Sequence, residues 1–136
     1  MKVKRTLKMI VGCLLITNLC WAGITQEGDT LPPGVVIHNA PAISHEYIGS
    51  PSIVIMPDGT YIASHDYFGK KLSDTYIYRS GDRGNSWTPI AKLESLTWAT
   101  LFNRGKELYL IGISPKVTMG YGDFVVRRSL DFGRSW

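Results

Sequence analysis

From Pro51 onward, apolar and polar positions alternate in short runs, each closed by a cluster of turn-forming residues. Period-two alternation marks strands that bury one face. The runs predict strands over 52–56, 60–65, 74–79 and 87–93, with Pro57-Asp58-Gly59 as a tight turn and SGDRGNSW, from Ser80 to Trp87, as a longer one. The pattern then restarts, with strands predicted over 96–102, 107–113 and 123–128 and a loop between the last two. Short strands joined by hairpins in this order make antiparallel sheets, so the fold class is all-β.

The turn SGDRGNSW has a second copy. SLDFGRSW begins at Ser129, 49 positions after Ser80, and both follow the pattern S-x-D-x-G-x-S-W. A period of about 50 residues with four strands per unit is the signature of a β-propeller blade. Blade one is placed at about 47–93 and an incomplete blade two at about 96–136, with 23–46 as an N-terminal lead-in. In each copy the aspartate, Asp82 or Asp131, can accept backbone N–H groups of the turn. Gly84 and Gly133 permit a positive φ, Trp87 and Trp136 can pack across the hairpin, and Ser80 and Ser129 can close the turn. The motif is therefore expected to be a structural fastener on the outer rim, away from the axis where ligands bind.

S-x-D-x-G-x-[ST]-W resembles the Asp-box, or bacterial neuraminidase repeat, of sialidase-like propellers, where it sits between the third and fourth strands of a blade. The resemblance spans roughly 48–136. It implies a propeller of six or seven blades when complete, of which this chain supplies about two. Open sheet edges and an uncovered blade face lead us to expect an isolated chain that folds poorly or aggregates.

The first 22 residues change the reading of charge. Lys2, Lys4, Arg5 and Lys8 precede an apolar run too short to span a bilayer, and Cys20-Trp21-Ala22 offers a small-residue cleavage site. Residues 1–22 are read as a secretory signal peptide, giving a secreted or periplasmic product. They hold four of the 15 Lys and Arg and none of the 11 Asp and Glu, so the remainder carries 11 of each. The overall charge of +4 thus gives no reason to expect nucleic acid as a partner. Both cysteines, Cys13 and Cys20, lie in this segment, which leaves no thiol for a disulfide or a metal site. Cys20 also offers a site for a lipid anchor, which would make the product an outer-membrane lipoprotein. No metal-ligand spacing, phosphate-cradling loop or basic-aromatic strip occurs, so neither cofactor nor metal is expected.

Sialidases of this superfamily carry an arginine in an F/Y-R-I-P motif on the first strand, part of a clamp for the substrate carboxylate. The matching stretch here is Tyr47-Ile48-Gly49-Ser50-Pro51, with Ser50 where the resemblance calls for arginine. Neither Gly nor Ser can replace a bidentate guanidinium. The stretch GSPSIVIMPDGTYIASHDYFG resembles instead secreted sialidase-like propellers that include lyases and glycosidases acting beside uronic acids, in which histidines do the chemistry. Abstraction of a C5 proton from a uronate needs a base that titrates near neutrality, which imidazole supplies. The candidates are His65 and His45, expected at the same end of one hairpin, with Asp66 as acid or binding group and Tyr67 and Tyr47 as proton donors. Trp98 is either core or a sugar-stacking platform, and His38, Arg127 and Arg128 are weaker candidates. Three readings follow: an enzyme cleaving an acidic oligo- or polysaccharide, an exo-α-sialidase, or a non-catalytic glycan-binding propeller.

Overall fold

The computed structural model describes residues 34–69, 74–115 and 122–136. Residues 1–22, read from the sequence as a signal peptide, with both cysteines and the earlier part of the lead-in, lie outside the described residues. A 3-10 helix, Ala42–Ser44, precedes seven strands in two antiparallel sheets. The first sheet has the order β1 (Glu46–Ile55), β2 (Tyr61–Gly69), β3 (Asp74–Ser80), β4 (Thr88–Glu94). The second runs β5 (Thr97–Arg104), β6 (Glu107–Pro115), β7 (Gly122–Ser129). Within each sheet every strand pairs with its neighbour in sequence, the meander that hairpin-length connections impose.

β1 starts six residues before the alternation predicted. Pro51 has no N–H to donate, and the alternation breaks there. The structure absorbs this in a bulge: pairing shifts register between Gly49 and Ser52, with Ser50 at φ 48°. A proline is tolerated in a strand at such a site. β5 repeats the device, with a shift between Thr97 and Thr100 and Trp98 at φ 52°.

The core forms between the sheets. Met56, Ile62, Ile77 and Leu93 of the first pack with Leu96, Ala99, Leu101, Leu108 and Leu110 of the second. Burying each such aliphatic side chain contributes about 1.5–3 kcal/mol. Polar ties cross the same seam: Thr75 Oγ1 donates to the Leu96 carbonyl at 2.8 Å, and the Leu101 N–H donates to Ser52 Oγ at 3.0 Å. The second sheet's other face lacks such cover. Phe124 and Val126 are 75% and 54% exposed, whereas Thr75 and Ile77, 49 positions earlier in the repeat, are 1% and 0% exposed. The face by which the first unit receives the second is thus uncovered in the second, and exposed apolar area of this kind favours self-association.

The two S-x-D-x-G-x-S-W turns close by the same bonds. Ser80 Oγ donates to Asp82 Oδ1 at 2.7 Å and accepts the Gly84 N–H at 2.8 Å, and the Ser86 N–H and Oγ donate to the Asp82 carboxylate at 2.9 and 2.6 Å. Trp87 Nε1 donates to the Gly84 carbonyl at 3.1 Å. Ser129, Asp131, Gly133, Ser135 and Trp136 repeat every one of these bonds. Both copies place two successive residues at positive φ, Arg83 and Gly84, then Phe132 and Gly133. The motif's glycine signalled only the second of each pair.

Hydrogen bonds from Ser86 and Ser80 hold the Asp82 carboxyl down at about 2, and those from Ser135 and Ser129 hold Asp131 lower still. A carboxyl whose folded value lies below its ordinary value stabilises the fold above that ordinary value, about 3.9 for aspartate. The contribution then fades as pH falls toward 2. Thermal melts between pH 5 and 2 are expected to fall more steeply for the wild type than for Asp82→Asn, which has no carboxyl to protonate there.

The copies differ in what lies above the glycine. A Cβ on Gly133 would meet Ile90, Leu108 and Ile77 at 3.3–3.4 Å, whereas one on Gly84 would find only Tyr61 and Trp87, at 3.6 Å or more. Both glycines have φ near 90°. Alanine at either is expected to cost about 1–2 kcal/mol for the backbone alone. Gly133→Ala should cost more than Gly84→Ala in a denaturant titration, because the second turn packs into the core.

Candidate functional site

β2 carries His65 on the face of the first sheet that points away from the second, and β3 lays Tyr76 and Tyr78 beside it. The register pairs His65 with Tyr76 and Ala63 with Tyr78, so same-face neighbours on adjacent strands bring the rings together. His65 is 5% exposed. Its ring stacks on Tyr76 at 5.4 Å and on Tyr78 at 5.5 Å, and meets Tyr67 edge-on at 5.0 Å. From the lead-in segment, His38 also stacks on His65, at 4.9 Å with an interplanar angle of 17°. His38 Nε2 is hydrogen-bonded to the Tyr67 hydroxyl.

The hydrogen bonds fix the His65 tautomer. Nδ1 faces the Asp66 carbonyl at 3.2 Å, which can only accept, so Nδ1 carries the proton. Nε2 is then the lone pair, facing the Tyr78 hydroxyl at 3.1 Å. Burial lowers the His65 pKa, outweighing the Asp66 hydrogen bond that raises it, so the ring is held neutral. Burial also pushes the Tyr78 hydroxyl up to about 12 and raises that of Tyr67. The result is a neutral base surrounded by phenols that keep their protons.

Of these rings, His38, His65 and Tyr78 border a cavity of about 480 Å³ between the lead-in segment and the first sheet, which Ser64 and apolar groups including Val36 and Ile53 also line. Among the described residues, no Asp or Glu lines it. Among the described residues, no three His, Cys, Asp or Glu side chains gather as a metal site requires.

The imidazole that meets His65 is His38, not His45. His45 caps the 3-10 helix at φ 54°, and the next residue, Glu46, pairs with Gly69. That register leaves His45 several residues along the hairpin from His65, which lies opposite the bulge, at about 3.3 Å per residue. Tyr47 stacks on Phe68 on the opposite face of the hairpin. Asp66, the neighbour of His65, also points to that opposite face, as strand alternation demands. It is 1% exposed, and its Oδ2 accepts Thr97 Oγ1 at 2.7 Å and the Trp98 N–H. The Trp98 side chain is 58% exposed. Arg127 donates to the Glu94 carbonyl at 3.3 Å, and Arg128 lies 3.9 Å from Glu107. Sequence reasoning missed the weight of His38, Tyr76 and Tyr78. For the two tyrosines the signal was present, because they alternate on β3 as His65 and Tyr67 do on β2. For His38 there was none.

No protein-family model matches the chain, and no curated protein matches it. Among solved structures it is similar to the α-L-arabinanase of Penicillium chrysogenum, determined in complex with arabinobiose. The TM-score is 0.54 and the identity 22%, over 63% of this chain and 29% of that one. The chain thus spans less than a third of that protein's length. The likeness is one of fold, and the chain has a β-propeller-like, all-β architecture. No helix among the described residues is long and apolar enough to cross a membrane.

Proposed function

We propose that the chain belongs to a secreted carbohydrate-active enzyme of the sialidase-like, Asp-box type that cleaves uronate-containing glycans by elimination. One observation carries this reading: His65, a neutral imidazole whose Nε2 lone pair meets the Tyr78 hydroxyl, borders a cavity lined by that phenol and a second imidazole and, among the described residues, by no carboxylate. Glycoside hydrolysis ordinarily needs a pair of carboxyl groups. Elimination needs a base for the C5 proton and a donor for the leaving oxygen. His65 would take the C5 proton as the C4=C5 bond forms and the C4–O bond breaks, and Tyr67, held by His38, would protonate the departing oxygen. The arabinanase likeness supports a carbohydrate ligand in general, and the acidic class rests on the resemblance of the HDYFG stretch.

The test is an assay of the full-length product on a uronate-rich polysaccharide and on sialyl-lactose. Absorbance of an unsaturated uronate is expected, without free sialic acid. Reducing ends without unsaturation would establish hydrolysis instead, and sialic acid would establish the exo-sialidase reading despite Ser50.

A second reading, a non-catalytic glycan-binding propeller, draws support from the repeat itself. In the second sheet, the face equivalent to that of His65 holds Leu108 and Leu110 and is packed on the first sheet. A ring cluster so placed suits a blade-to-blade contact as well, and no cleavage product from either substrate would favour it.

A further inference from the structure

We propose that Asp66 is a positioning residue that fixes Trp98 as a pyranose-stacking platform at the seam between the two sheets, an inference that rests on the glycan-active reading above. Bulky side chains rarely occupy the left-handed region that Trp98 adopts at φ 52°. Such a conformation persists where its surroundings over-determine it. Here the Asp66 carboxylate does so, accepting both the Trp98 N–H and the hydroxyl of the preceding Thr97.

A bulge re-aims the side chain it carries. Thr97 and Ala99, on either side, are 2% and 1% exposed, whereas the Trp98 indole stands 58% exposed. The same face of the β1–β2 hairpin adds a second aromatic surface, with Phe68 at 44% and Tyr47 at 56% exposure and their rings stacked at 5.5 Å. Gly49 joins the two features. A Cβ there would lie 2.7 Å from the Phe68 ring and 3.2 Å from Asp66 Oδ1, so ring and carboxylate meet above a position that admits no side chain. Exposed, rigid aromatic faces suit the C–H face of a sugar ring, since they combine large apolar area with little conformational freedom to lose.

The geometry separates this role from acid–base catalysis. Asp66 Oδ1 has no hydrogen-bond partner among the described residues. A carboxamide in its place keeps an acceptor for Thr97 and Trp98 and removes a buried charge, so Asp66→Asn preserves the platform, whereas it would abolish a proton-transferring carboxylate.

The experiment uses the full-length protein, with retention on uronate-rich and neutral polysaccharides measured by affinity electrophoresis and cleavage measured separately. Trp98→Ala and Asp66→Ala are each expected to weaken retention about tenfold, with the double variant no weaker than Trp98→Ala alone because the two act as one unit. Asp66→Asn is expected to bind and cleave within about twofold of wild type, as the hydrogen bonds persist. Additive losses, or retention indifferent to Trp98→Ala, would overturn the proposal. So would an Asp66→Asn variant that binds normally but no longer cleaves, since that makes Asp66 a catalytic acid. If Asp66→Ala does not fold, Asp66→Asn and Trp98→Ala decide the matter alone. Retention losses in these variants, with a wild type that cleaves no substrate, leave the platform standing and remove only the elimination reading.

Discussion

Replacing His65 by alanine is expected to lower kcat/KM of the full-length enzyme on a uronate-rich polysaccharide by about 10²–10⁴-fold, the usual weight of a general base. The expectation rests on the Nδ1 bond to the Asp66 carbonyl, which leaves Nε2 as the lone pair. Tyr67→Phe should produce a loss of similar order, because it removes the hydroxyl that His38 holds. Polysaccharide retention should change little in either variant, since stacking lies on the other face of the hairpin. The pH profile adds a second check. Burial lowers the His65 pKa below its ordinary 6.5, so the base stays neutral at pH 7 and the acid limb of kcat/KM should fall below 6.5. The same shift means that fold stability is fully present above 6.5 and declines as the buried ring is forced to accept a proton. A variant with wild-type kcat/KM would sink the catalytic role of the ring cluster, and a lowered thermal melt beside it would favour the blade-contact reading.

Ile77→Ala is expected to destabilise the fold by about 2–5 kcal/mol, with the transfer and cavity terms combined. Ile77 is 0% exposed and packs within the core shared by both sheets, close under the Gly133 turn. Val126→Ala, at the equivalent position of the second unit and 54% exposed, is the internal control and should change stability by less than about 0.5 kcal/mol. Urea titration of the described chain, followed by the fluorescence of Trp87 and Trp136, measures both. Equal costs at the two positions would show that the second sheet's open face is covered in solution by another copy, and the midpoint would then depend on protein concentration.

The sheet order and the two turns were legible because their causes are local. Alternation over five to seven residues places side chains on two faces, and a serine, an aspartate and a glycine within one turn can satisfy one another without help from elsewhere. Even the strand that began early was hidden by a local fact, the missing N–H of Pro51, which a bulge accommodates without loss of pairing.

The site was less legible. Adjacent residues His65 and Asp66 read as one catalytic stretch, yet a strand sends neighbours to opposite faces. The fold then gave each a different partner: His65 an aromatic cavity, Asp66 the backbone of the next sheet. Which imidazole would join His65 could not be read from spacing, because His38 reaches it through an irregular segment whose path is set by packing on the sheet. The sequence by itself determined strands, turns and the repeat, since these follow from short-range sterics and hydrogen bonding. Only the tertiary structure decided which polar groups share a cavity and which are spent holding sheets together, because those outcomes depend on contacts between residues tens of positions apart.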